Sequence, residues 1–215
     1  EIIEKLQKTH EIELQILTGD EEAQLTFLAA RRWLGWSSGR LLVLDIGGGS
    51  LEMAVGNDES ASSTLSLPIG AGRMTREFLT GDPYTGKSIK ALTQFSREQI
   101  SQSVSGELLL HQADRIVATS KTFRTLARLT DHWYSDSAKT LEHSALVAAI
   151  EKLKDLSNSQ RAALPGVSAS RAKQLLAGAI VAEAVMSHLK IDEVEICPWA
   201  LREGIVLKWL DWMEK

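Results

Sequence analysis

The stretch LLVLDIGGGSLE, residues 41–52, most constrains what this chain can fold into. An apolar run typical of a buried strand ends at Asp45, three glycines and a serine follow, and a second strand-like segment begins at Glu52. Glycine permits positive φ angles and lets another group approach the backbone closely. Successive N–H groups in such a turn form a concave site for an anion. The pattern therefore predicts a strand, an anion-binding turn and a second strand, and its alternative is an ordinary hairpin turn.

The residues around the turn exclude two common phosphate-binding motifs. No Gly-Lys-Ser/Thr follows, so the stretch is not a Walker A loop, and the glycines lead into a strand, so it is not a dinucleotide fingerprint. Carboxylates do not bind phosphate directly. Asp45 and Glu52, one on each side of the turn, could act as ligands of a Mg²⁺ ion that lies between them and a phosphate. Mg²⁺ takes oxygen ligands and keeps several waters.

Composition sets broader bounds. The 215 residues are 44% hydrophobic and 24% charged, enough for one sizeable core. The net charge of -4 gives no support to a nucleic-acid-binding surface. The single cysteine, Cys197, cannot form an internal disulfide, and we expect it to be a small buried hydrophobic residue of a cytoplasmic protein. No apolar run reaches the roughly 18 residues needed to span a membrane.

Periodicity predicts a chain that alternates strands and helices. Thr18 and Glu21 match a capping box, and the apolar residues that follow lie on one face of a helix. Strands are predicted over residues 13–17, 41–45, 52–56, 64–69, 115–119 and 193–197, and further helices over 72–79, 96–112, 120–129, 144–156, 170–189 and 201–213. A hairpin followed by crossovers indicates a mixed sheet with helices on its faces.

Five motifs in order resemble one known family. They are LTGDEEAQLTFL, DIGGGSLE, LPIGAGRMTREFL, ATSKTFRTLARL and PWALREG. Together they are similar to the exopolyphosphatase / guanosine pentaphosphate phosphohydrolase (Ppx/GppA) family over nearly the whole chain. The resemblance implies an α/β fold: a ribonuclease-H-like lobe of the actin-like ATPase fold, with a mixed sheet and helices on both faces.

The resemblance also implies roles for particular residues. Glu22 would be the general base on the attacking water, although its place in the first turn of a helix also fits a structural role in the helix dipole. Asp45 and Glu52 would bind Mg²⁺. The phosphate-binding residues would be Gly47, Gly48, Gly49, Ser50, Arg73 and Lys121. Further basic residues in or beside the motifs could contact a polyphosphate chain or could be ordinary surface charges: Arg124, Arg128 and Arg171.

Several positions depart from the family pattern. Gln24 replaces a cation, Leu51 replaces a hydroxyl that could touch phosphate, Lys121 adds a cation to a turn of small residues, and Lys173 replaces an aspartate. Arg202 and Glu203 are interpreted as a structural pair at a helix start. These departures bear on substrate choice and turnover more than on the fold.

The family's first phosphate loop, of the type DxGSxS, is not found in this sequence. We therefore expect residues 1–18 to be the tail of a first lobe and residues 19–215 to form the second lobe, inactive by itself. Trp33 and Trp36 would lie in an apolar patch that could support a homodimer, unless both are covered within the lobe.

The predicted reaction is removal of the terminal phosphate from inorganic polyphosphate. Two alternatives stay open: hydrolysis of guanosine pentaphosphate, a nucleotide of the stringent response, and a module that binds polyphosphate or the nucleotide without turnover. No nucleic-acid or membrane partner is expected.

Overall fold

The computed structural model describes residues 16–134 and 139–213. Within these ranges the strands are β1 (Leu41–Ile46), β2 (Leu51–Gly56), β3 (Ser63–Leu67), β4 (Arg115–Ala118), β5 (Thr140–Glu142) and β6 (Glu193–Ile196). The helices are α1 (Gly19–Leu34), α2 (Ala71–Phe78), α3 (Gly86–Ser103), α4 (Gly106–Leu109), α5 (Lys121–Tyr134), α6 (His143–Leu153), α7 (Asn158–Ala162), α8 (Ala169–His188) and α9 (Leu201–Met213), with a 3₁₀ turn at Trp36–Ser38. None of these helices is long and apolar enough to cross a membrane.

The strands form one mixed sheet in the order β3-β2-β1-β4-β6-β5. β1, β2 and β3 make an antiparallel meander, β4 and β6 run parallel to β1, and β5 returns antiparallel at the edge. The predicted mixed sheet is confirmed, and so is the hairpin-first order.

Helices cover both faces of the sheet. Alternate residues of each strand point to opposite sides, and both sides carry apolar residues that the helices bury. Leu41, Val43 and Ala54 pack on one side with Ala23 and Phe27 of α1. The other side holds the larger core, in which residues of β1 and β2 meet α2, α3, α5, α6 and α8. The α1 face therefore carries every odd-numbered residue of β1, including Asp45 at its end.

One predicted helix was wrong in extent, and two short elements were not predicted. The helix predicted over residues 96–112 begins at Gly86, because the Thr85 hydroxyl accepts a hydrogen bond from Ser88 N. It ends at Ser103, and the extended residues Val104 and Ser105 separate it from α4. β5 and α7 were missed because each is five residues or shorter. The predicted strand over residues 13–17 lies mostly outside the described residues.

α9 packs unusually close to α1 at Gly204, the glycine of the LREG motif. A Cβ added to Gly204 would lie 2.0 Å from the Leu25 carbonyl oxygen. Glu203 accepts a hydrogen bond from Ala200 N at 2.9 Å, which confirms that it belongs to the helix start. The motif therefore serves the contact between α1 and α9.

An apolar strip is exposed along α9 and the end of α1. Trp33 and Trp36 are 49% and 65% exposed, so the alternative in which this lobe covers both is wrong. The Trp33 ring lies 5.3 Å from that of Trp199, which borders a groove lined by α9. Exposed residues of α9 extend the strip: Ile205, Val206, Trp209, Leu210, Trp212 and Met213.

Candidate functional site

The glycine turn between β1 and β2 is held against the N-terminus of α2. The backbone N–H groups of Gly70, Ala71 and Arg73 donate to the carbonyls of Gly49, Gly47 and Gly48, at 3.1, 3.0 and 2.9 Å. In a planar trans peptide the N–H points opposite to the C=O. The N–H groups of Gly48, Gly49 and Ser50 therefore point away from α2.

The sequence predicted that the N–H groups of this turn bind an anion, and their outward direction is consistent with that prediction. Among the described residues, the N–H groups of Gly48, Gly49 and Ser50 donate to no protein atom. A Cβ added to Gly48 or Gly49 would meet nothing within 4 Å, so open space lies beside both residues. Neither residue has a positive φ, so these glycines matter for close approach and not for unusual backbone angles.

Gly70 is a site residue that sequence reasoning missed. A Cβ at this position would lie 2.3 Å from Ser50 N and 2.4 Å from the Gly49 carbonyl carbon. Only glycine lets α2 approach the turn closely enough to bind its carbonyls. The glycine in LPIGAG was the available signal.

Asp45 and Glu52 are directly paired across β1 and β2. Side chains in such a pair share one face, with Cβ atoms about 4.5–5.5 Å apart. Ser66 of β3 is paired with Glu52 in turn, and its hydroxyl donates to Glu52 Oε1 at 3.0 Å. The two carboxylates therefore lie together on the α1 face, beside the anion site.

Glu22 in the first turn of α1 lies within electrostatic range of this pair. Burial is the main cause that raises the pKa of Asp45 and Glu52, and the negative charge of Glu22 adds to the shift in both. The adjacent Glu21 caps the start of the helix instead. Its carboxylate accepts hydrogen bonds from Thr18 N and Thr18 Oγ1 at 2.7 and 3.0 Å. Those bonds lower the pKa of Glu21. The predicted capping box is confirmed, and it leaves Glu22 as the carboxylate available to the site.

Burial makes ionisation of both Asp45 and Glu52 unfavourable without a cation. It raises the pKa of Glu52 to about 7, hydrogen bonds from Ser50 and Ser66 oppose the shift, and the charges of Asp45 and Glu22 add to it. Burial also raises the pKa of Asp45, against a hydrogen bond from Thr119 and the charge of Arg124. A divalent cation would offset this repulsion.

The donor set suits Mg²⁺ held with water and phosphate. Within the described ranges no three or more His, Cys, Asp or Glu side chains come close enough to form a complete metal site. Asp45 and Glu52 would thus supply two oxygen ligands, and Mg²⁺ commonly binds through one or two carboxylates while substrate phosphates and water complete its shell.

The basic residues divide into three positions. Arg73 is exposed and lines a cleft of about 550 Å³ with Thr18, Asp20, Gly49 and Ser66. Lys121 is exposed at the first residue of α5, and within the described residues its side chain makes no hydrogen bond to the turn. The positive charge of Arg124 opposes the rise in the pKa of Asp45. Arg171 lies near Arg124: burial lowers the pKa of Arg171, and the charge of Arg124 adds to this effect.

Two of the departures from the family pattern lie away from the site. Leu51 is fully buried in the larger core, on the opposite face from Glu52. The side-chain amide of Gln24 makes two hydrogen bonds to the backbone of Ala61. It donates to the carbonyl oxygen and accepts from the N–H, both at 3.0 Å. Neither side chain therefore faces the glycine turn, and the effect of the two substitutions on substrate choice and turnover stays a prediction. Cys197 is buried, which raises the pKa of its thiol to about 11.

Comparison with known proteins identifies the class to which this fold and site belong. The model of the Ppx/GppA phosphatase family matches residues 1–213. The chain belongs to the Ppx/GppA phosphatase family.

Particular relatives are similar over nearly the whole chain. Exopolyphosphatase 1 of Mycobacterium bovis is 47% identical over 215 residues, which are 98% of this chain and 62% of the relative. Exopolyphosphatase 2 of Mycobacterium tuberculosis is 30% identical over 202 residues, covering 90% of this chain and 63% of the relative. The chain thus spans less than two thirds of the length of these relatives.

Solved structures confirm the fold. The Aquifex aeolicus Ppx/GppA phosphatase superposes with a TM-score of 0.77 at 25% identity, covering 96% of this chain and 68% of that one. An exopolyphosphatase from Cytophaga hutchinsonii gives a TM-score of 0.81 at 22% identity over 98% of this chain and 70% of that one. The predicted lobe of the actin-like ATPase fold is confirmed.

Proposed function

We propose that this chain is the second lobe of an exopolyphosphatase that removes the terminal phosphate from inorganic polyphosphate. The observation that carries the proposal is the juxtaposition of the Asp45–Glu52 pair, the Glu22 carboxylate and a turn whose N–H groups point outward. The names of the mycobacterial relatives support polyphosphate as the substrate class.

In this proposal each group has one task. The N–H groups of Gly48, Gly49 and Ser50 hold oxygens of the terminal phosphate and stabilise the charge that develops on them. Glu22 accepts a proton from the attacking water, and Asp45 and Glu52 would hold Mg²⁺. When bound, Mg²⁺ neutralises charge on the transferred phosphoryl group. Arg73 lies along the cleft, where it would bind the polyphosphate chain.

The lining of the cleft bears on the choice between polyphosphate and guanosine pentaphosphate. A nucleotide needs an aromatic or apolar surface for its base. In the part of the chain that the structure describes, no aromatic ring lines the cleft beside the turn, but Leu65 and Pro68 give it an apolar part, so guanosine pentaphosphate stays the alternative substrate. Orthophosphate release from the two substrates tests this directly. Faster release from guanosine pentaphosphate would favour the nucleotide, and tight binding of either substrate without release would favour a non-catalytic module.

We further propose that residues 1–18 are the tail of a first lobe and that residues 19–215 need this lobe for activity. Phosphate clamped between two loops reacts faster than phosphate held by one, because orientation is fixed before the reaction. The test compares orthophosphate release by this chain with release by the chain joined to the N-terminal part of the 47%-identical relative. Equal rates would contradict the two-lobe proposal.

A further inference from the structure

One oxygen of Asp45 is already committed to the protein. Asp45 Oδ2 accepts a hydrogen bond from Thr119 Oγ1 at 2.5 Å and a longer one from Ser120 N at 3.4 Å. In the described ranges Asp45 Oδ1 receives no hydrogen bond from the protein. The carboxylate therefore has one anchored oxygen and one free oxygen.

The anchor is a rigid part of the fold. Thr119 is fully buried at the residue after β4, and its N–H donates to the Leu44 carbonyl at 3.0 Å, which extends the ladder between β4 and β1. The next residue, Ser120, accepts a hydrogen bond from Phe123 N at 3.3 Å and so caps α5. Thr119 is thus fixed by a strand on one side and a helix on the other.

We propose that Thr119 is a positioning residue for the divalent-cation site. Its hydroxyl holds Asp45 Oδ2 and so orients Oδ1 toward the space shared with Glu52 and the turn. Partners of this kind fix the orientation of metal-binding side chains, and their loss typically weakens metal affinity about 10–100-fold. The inference rests on the proposed function, because it takes Asp45 as a metal ligand.

The experiment measures metal binding instead of turnover. This chain is titrated with Mn²⁺ as the probe, and free Mn²⁺ is followed by electron paramagnetic resonance. The variants are Thr119→Val and Thr119→Ala, which remove the hydroxyl, and Thr119→Ser, which keeps it. Thr130→Val is the matched control, because Thr130 is buried too but its hydroxyl bonds only to the Leu126 and Ala127 carbonyls within α5.

We expect Mn²⁺ affinity to fall at least about tenfold in Thr119→Val and Thr119→Ala and to stay near wild type in Thr119→Ser and Thr130→Val. Circular dichroism confirms that each variant is folded, and Thr119→Ala serves if the valine does not fit. Unchanged affinity in the folded hydroxyl-free variants would overturn the role of Thr119 alone. Absence of saturable Mn²⁺ binding in the wild-type chain would overturn both this role and the proposed metal site.

Discussion

Asp45 and Glu52 face each other across the antiparallel strands β1 and β2, on the α1 face of the sheet. A cross-strand pair of like charges is destabilising unless something binds between them. The outward N–H groups of the glycine turn lie next to this pair. We propose that a cation and a phosphate bind there together, because their charges would offset the folding free energy that the like-charged pair costs.

Asp45→Asn should lower turnover and raise the Mg²⁺ concentration needed for half-maximal rate. The amide keeps the size of the side chain but removes the charge that holds the ion, and we expect a loss of about a hundredfold or more, since such ions contribute several kcal/mol. Orthophosphate release is measured against Mg²⁺ concentration in the protein joined to an N-terminal lobe. Asp155→Asn, at an exposed position, is the control. Full activity of the wild type in chelator would refute the metal assignment.

Stability without divalent metal should decrease as the pH rises toward neutrality. The pKa of Glu52 is raised from 4.5 to about 7, so between these values the folded state binds a proton that the unfolded state has lost. This proton binding contributes at most about 3 kcal/mol to the free energy of unfolding. The contribution is present below about pH 4.5 and is lost as the pH rises through 7.

Urea unfolding of wild type and Glu52→Gln at pH 5 and pH 8 in chelator tests this pH dependence. The difference between the two proteins isolates Glu52 from other titrating groups. Glu52→Gln should lose less stability than wild type between these pH values, and added Mg²⁺ should reduce the loss in wild type because it favours the ionised carboxylate. Parallel pH profiles for the two proteins would show that Glu52 does not titrate as described.

Gly70→Ala should damage both stability and anion binding. The added methyl group would meet the backbone of Gly49 and Ser50, which cannot move without breaking the bonds between α2 and the turn. Overpacking of this kind costs about 1–3 kcal/mol. Gly86→Ala is the matched control, because a Cβ there meets nothing within 4 Å. Thermal unfolding and pyrophosphate binding by calorimetry give the two readouts, and equal behaviour of both variants would contradict the close-approach argument.

The apolar strip should make the isolated chain self-associate. Four tryptophans are about half to three-quarters exposed, Trp33, Trp36, Trp209 and Trp212. At ~250 Å² per ring they present on the order of 600 Å² of apolar surface. A stable interface buries about 800 Å² per partner, which the neighbouring aliphatic residues of α9 would supply.

Analytical ultracentrifugation of the chain should show a concentration-dependent dimer, and Trp209→Glu should shift it to monomer. Leu110→Glu changes a still more exposed apolar residue outside the strip and should leave the dimer intact. A chain that stays monomeric at all concentrations would show that exposure of the strip is tolerated without a partner.

Local sequence rules predicted much of the fold and which residues surround the glycine turn. The strand, turn and strand around Asp45 followed from the order of apolar residues, glycines and carboxylates, and the capping box located the start of α1. The period of two in a strand could also have shown that Leu51 lies on the opposite face from Glu52. The start of α3 could likewise have been read from Thr85 as an N-cap.

Other features depend on contacts between distant segments. The need for glycine at Gly70 arises only because α2 approaches the turn within van der Waals distance. The hydrogen bond from Thr119 to Asp45 joins residues 74 positions apart. Arg124 acts on Asp45 because β4 lies beside β1, and a single sequence does not specify that strand order.

The central claim is that Glu22 activates water for attack on a phosphate held at the glycine turn. The direct measurement is orthophosphate release from polyphosphate by the protein joined to an N-terminal lobe, with Glu22→Gln compared with Glu21→Gln. Glutamine can replace Glu21 in a capping box, so this neighbour is a close control. We predict that Glu22→Gln lowers kcat at least about a hundredfold with little change in KM, and that Glu21→Gln stays near wild type. Near-wild-type turnover in Glu22→Gln would contradict the account.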